Sequence, residues 1–151
     1  MSVLETAEKT EQKIHEILGE AFNLTKAVIY SVKVKPSDEL EVVKRHDCVD
    51  VYDLLADDYT LNITKNSEYI AVLTCGWASP IVDDDDEQVA PSQHPQRRRV
   101  RLMVLASRNG VASVLRFSDK PNETVTDNGK ARGSLADAVL KLFAQAEAEN
   151  N

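Results

Sequence analysis

At 151 residues, with 42% hydrophobic and 28% charged residues, the chain has the size and composition of one folded domain and lies outside the range that stays disordered. Its formal charge of −7 argues against nucleic acid as a partner and against anionic lipid. The longest apolar run, residues 69–75, is far below the roughly 20 residues of a membrane span, and the polar N-terminus has no signal-peptide core, so a cytoplasmic protein without membrane contact is expected.

Cys48 and Cys75 form no CxxC pair, which favours reduced thiols. A single domain over 1–151 is expected, frayed at 1–5 and 148–151, with a long loop over 78–98.

In chain order, Ile14, Ile17, Leu18, Ala21 and Phe22 recur at helical spacing and predict a helix that buries this stripe, with Glu11, Lys13, Glu16 and Glu20 on its solvent side. Residues 26–34 alternate as a half-buried strand does. Pro36 and Ser37 end it, and a weaker strand over 40–45 returns antiparallel to it. Asp50 is a plausible N-cap for a short helix over 51–56. The β-branched and aromatic run 68–77 reads as a central strand that ends near Gly76.

Residues 99–108 and 111–117 flank Asn109-Gly110, a pair suited to the two positive φ angles of a type I′ turn, so a tight hairpin is expected. Residues 120–132 are rich in Pro, Asn and Gly and read as a surface loop. Ser134 and Asp137 open a last helix over 133–149 that buries Leu135, Ala138, Val139, Leu142 and Phe143.

The result is an α+β fold: an antiparallel sheet of about five strands with the N-terminal and C-terminal helices packed on one face. This order resembles, in outline only, that of PAS, GAF, profilin and roadblock domains, which implies a sensor or scaffold role.

Chemistry concentrates in ASPIVDDDDEQVAPSQHPQ, residues 78–96, where prolines exclude regular structure and the acids 83–87 repel one another. Arg97, Arg98, Arg99 and Arg101 follow at once. With Arg108 opposite Val111, Met103 faces Arg116, which puts Arg99, Arg101 and Arg116 on one side of the hairpin and Val100, Leu102, Val104, Leu115 and Phe117 on a buried side. The arginines then have two open roles. Either the acidic loop, including Asp83 and Asp85, folds back to neutralise them, or they bind an external anion through forked hydrogen bonds.

The acids lack the alternation and central glycine of a calcium loop, and no metal site is expected. His94 has a nucleophile-and-base reading with Cys75 and the acids, against that of a solvated turn residue. Cys75 reads as a small buried hydrophobe, and Trp77 either roofs a pocket or fills the core beneath the loop. His15 and His46 have no metal-type ligands at useful spacing and read as surface residues. GxGxxG, GxxxxGK[ST], HExxH and GxSxG are absent, so no cofactor is expected.

The residues favour a non-catalytic protein-interaction or regulatory domain. Its working surface would comprise Trp77, Asp83, Asp85, His94, Arg97, Arg99, Arg101 and Arg116, and its partner another protein, an acidic segment or a second copy of the chain. The alternative is a small hydrolase or transferase that uses Cys75 or His94 on an anionic substrate.

Overall fold

The computed structural model describes residues 2–78, 97–128 and 134–149. Helix α1 spans Val3–Leu18, so it covers residues expected to fray. The reason is local: the Ser2 hydroxyl accepts the Glu5 N–H at 3.1 Å and caps the first turn. Gly19, at φ 58°, ends the helix and donates its N–H to His15 O at 2.7 Å. Ala21 and Phe22 therefore lie beyond α1, and Ile17 is 77% exposed. The buried side is instead built on Ala7 and Ile14 together with Thr6, Thr10 and Glu11.

Strands β1, Ala27–Val34, and β2, Leu40–Cys48, form a hairpin whose turn places Asp38 at φ 64°, a left-handed position that Asp tolerates. Helix α2, Val51–Ala56, is capped by Asp50. Asp57 ends α2 and caps helix α3, Asp58–Lys65, an element with no clear signal in the sequence. There follow β3, Tyr69–Ala78, β4, Arg98–Ser107, β5, Gly110–Phe117, β6, Lys120–Asn128, and α4, Ser134–Glu149, which remains helical past the expected fraying point.

The fold is α+β, and the antiparallel sheet has six strands in the order β2-β1-β3-β4-β5-β6. The added strand, β6, was expected to be loop. It is an edge strand with little to bury, held through its ladder to β5, and Val125 on it is largely exposed. The β4–β5 hairpin also differs. Ser107 pairs with Gly110, so Arg108 and Asn109 form the loop, and Gly110 rather than Asn109 takes the positive φ, 139°. The register moves by two residues, so Arg101 faces Arg116, yet no side chain changes face.

The terminal helices lie on opposite faces, not on one. On the first face α1 covers Val28, Tyr30, Val32, Ala71, Leu73, Met103 and Leu105. On the second, α2, α3 and α4 cover Ile29, Ile70, Val72, Val104 and Ala106 through Leu54, Ile63, Val139 and Phe143. Both faces of β3 and β4 are apolar, so a sheet covered on one side would leave half of its core wet.

Glu11, expected on the solvent side of α1, is 2% exposed, and Arg116 beneath it is 4% exposed. Arg116 Nε and Nη2 donate to Glu11 Oε2 and Oε1 at 2.8 and 2.5 Å, and the guanidinium also reaches Pro121 O and Gln12 Oε1. Deleting one member strands the other as a buried, uncompensated charge. Glu11→Ala should cost about 3–5 kcal/mol in urea denaturation, and adding Arg116→Met should recover much of that loss. Equal instability of the single and double variants would contradict this account.

Candidate functional site

The arginines form an inner seam more than an outer surface. Arg101 is 1% exposed, and its Nη1 donates to Gly19 O at 2.9 Å and Ala21 O at 3.2 Å, closing the C-terminal end of α1. Its Nη2 lies 2.5 Å from His15 Nδ1, and its guanidinium stacks on Phe22 at 4.3 Å. Arg116 is neutralised by Glu11, so a partner other than the acidic loop meets this charge. Both guanidinium groups lie on the core face under α1, where an external anion would first have to displace a helix.

The outer part of the expected surface is smaller. Arg97 and Arg99 lie over the Trp77 ring at 4.9 and 4.2 Å, and Arg98 pairs with Asp119 through two hydrogen bonds of 2.8 and 2.6 Å. Trp77 is half-buried. Asp83, Asp85 and His94 fall outside the described residues. Cys75 pairs across the sheet with Arg101, and burial pushes its thiol up despite the nearby arginines. A raised thiol is mostly protonated at neutral pH, which opposes a nucleophilic role.

His15 is not a free surface residue. Burial lowers its pKa below the ordinary 6.5, and the charges of Arg116 and Arg101 push the same way, against smaller opposing effects from Glu11 and the Gly19 backbone. A neutral imidazole suits its place beside the Arg101 donor.

The structure assembles a second group that the sequence did not bring together. Val42 and Lys44 on β2 oppose Val32 and Tyr30, whose side chains face α1. A β-bulge then shifts the register: Tyr30 pairs with Lys44 but Ile29 with His46, leaving Arg45 as the extra residue. The bulge turns His46 and Cys48 toward the face that carries Ala27 and Ile29. There they meet Asp57 at the α2–α3 junction. His46 Nε2 lies 3.1 Å from Asp57 Oδ2 and 3.7 Å from Cys48 Sγ, and the three donor atoms all fall within 4.8 Å of one another.

The surroundings hold this group in place. Asp57 Oδ1 accepts the Tyr59 N–H at 2.8 Å, and the Tyr59 ring stands edge-on to His46 at 5.2 Å. The Tyr59 N–H and, after it, His46 keep the Asp57 carboxyl below its ordinary range. Burial, followed by Asp57, Asp47 and Asp53, pushes the Cys48 thiol up. Such a set offers one nitrogen, one sulfur and one oxygen donor.

Next to it runs a groove of about 490 Å³ between the β1–β2 edge and α3. Lys33, Arg45, Glu41 and Glu68 supply both signs of charge, while Val43, Tyr59 and Ile63 supply apolar surface. Arg45, placed by the bulge, donates to Ser31 Oγ at 2.7 Å. Tyr59 is shared by the groove and the His46 cluster. No described helix is long and apolar enough to cross a membrane. Comparison with models of protein families, with curated proteins and with solved structures finds no match.

Two outcomes separate the inner arginines from the outer ones. Arg101→Ala frees the Gly19 carbonyl at the helix end and the Ala21 carbonyl beyond it and should cost about 2–4 kcal/mol, whereas Arg99→Ala should stay within about 1 kcal/mol. Comparable losses in denaturation would remove the distinction. His15 has a folded pKa below its unfolded one, so its contribution to stability is complete above pH 6.5 and is lost as the pH falls from there through the lowered native value. The stability difference between wild type and His15→Gln should therefore shrink as the pH falls below 6.5, and a difference independent of pH would refute the assignment.

Proposed function

We propose that the protein is a non-catalytic protein-interaction or regulatory domain that receives an extended segment of a partner polypeptide along β2 and in the adjoining groove. The carrying observation is the groove itself, open beside a sheet edge and lined by positive and negative side chains around Tyr59, Val43 and Ile63. Strand β2 ends the sheet, so one side of its backbone faces no other strand among the described residues. An extended chain pairs with such an edge through main-chain hydrogen bonds, and neighbouring pockets select its side chains.

The charge pattern favours a partner carrying both signs, because Lys33, Arg45, Glu41 and Glu68 line the same hollow. Free thiols at Cys48 and Cys75 suit a reducing, cytoplasmic setting. The Trp77 platform with Arg97 and Arg99 is the remainder of the arginine surface and the rival position for the partner.

Affinity capture from cell extract with the full chain tests this reading. Lys33→Glu combined with Arg45→Glu should remove the specifically captured partner and move the melting temperature by no more than about 2–3 °C, the usual scale for exposed substitutions. Arg99→Glu should leave capture intact. An unchanged partner set in the double variant overturns the groove, and loss of capture in Arg99→Glu moves the surface to Trp77.

A further inference from the structure

We propose that His46 Nε2, Cys48 Sγ and the Asp57 carboxylate form a tetrahedral site for a zinc-class divalent ion, with the fourth position left to water or to a donor from a bound partner. The inference does not depend on the groove reading, since it rests on the donor atoms alone.

Distances carry the argument first. With ordinary zinc bond lengths, tetrahedral ligands stand about 3.3 Å apart for a nitrogen–oxygen pair and about 3.6 Å apart for a nitrogen–sulfur pair. The observed separations are 3.1 Å for His46 Nε2 to Asp57 Oδ2 and 3.7 Å for His46 Nε2 to Cys48 Sγ. All three atoms lie within 4.8 Å of one another, so a common centre is reached by small side-chain adjustments. Thiolate with imidazole and carboxylate selects zinc or cobalt over magnesium and calcium, which take oxygen alone.

Hydrogen bonding gives a second argument. Nε2 carries at most one proton, so it cannot donate to both Asp57 Oδ2 and Cys48 Sγ. If the thiol donates to Nε2 instead, the imidazole lone pair is turned away from Asp57. A cation at the centre satisfies all three lone pairs together, while Cys48 releases its thiol proton to solvent. Asp57 can ligate through Oδ2 because Oδ1 stays with the Tyr59 N–H, an outer contact that fixes the direction of the carboxylate.

Cobalt titration of the full chain, under reducing conditions, provides the test. Wild type should develop intense visible bands of a tetrahedral ion and a thiolate-to-cobalt charge-transfer band, both removed by excess zinc. Cys75→Ser should retain both signals, whereas Cys48→Ser should lose the charge-transfer band. His46→Gln and Asp57→Asn, the latter keeping an N-cap side chain, should each weaken zinc binding at least about tenfold, with folding checked by circular dichroism. A folded wild type without the charge-transfer band, with only weak octahedral bands, or with a band lost in Cys75→Ser instead, overturns the site. The groove variant Lys33→Glu with Arg45→Glu should still bind cobalt, so the two readings fail separately.

Discussion

Two guanidinium groups sit side by side beneath α1, and their need for acceptors sets how the first layer is built. Arg101 and Arg116 are direct cross-strand partners, an arrangement that repels unless each charge is answered separately. Arg116 is answered by the Glu11 carboxylate, and Arg101 by the carbonyl of Gly19 at the negative end of the helix and that of Ala21 just beyond it. Glu11 and Gly19 are eight residues apart, about 12 Å along an α-helix, so both contacts close only for one axial position and one direction of α1. The apolar contacts of Ala7 and Ile14 supply burial but would tolerate sliding. The polar seam supplies the register.

Among the described residues, the opposite face has no equivalent seam. It is covered by α4 and by two short helices, the six-residue α2 and the eight-residue α3, neither long enough to persist alone. Their position depends on Leu54 and Ile63 and on Asp57, which terminates one helix and starts the other. Because α3 stands beside the sheet edge, it leaves the groove open along β1 and β2. The first face is thus locked by charge, and the second keeps an accessible hollow beside its lightest elements.

Much of the fold was legible in the sequence because the signals are periodic. The β1 alternation, the apolar β3 run, the Asp50 cap and the α4 stripe lead to the elements found. The two-sided cover was also written there, since 70–73 and 103–106 are apolar at every position, a pattern suited to a sheet buried on both faces. What misled was polarity taken as exposure. Glu11, Arg101 and Arg116 look solvated one by one, and only the fold gives them partners 80 to 105 positions away. Edge strand β6 has almost no apolar pattern to read, because its stability comes from backbone pairing with β5.

The His46 cluster was hidden for a different reason. Continued alternation from Val42 through Lys44 puts His46 and Cys48 on the α1 face, away from Asp57. One extra residue, Arg45, reverses that assignment, and a bulge has no sequence signature that alternation can register. The spacing His-x-Cys followed by Asp nine residues later gains meaning only once the reversal is known. An edge strand gains from a bulge because added twist discourages pairing with unintended strands. Here the same kink aims the His46 and Cys48 donors at Asp57 in the junction of α2 and α3, so a cation bound between them would tie these two short helices to the β2 edge of the sheet. Tyr59 stands at both places, edge-on to His46 and in the lining of the groove, so the bulge also sets the donor cluster directly beside that hollow.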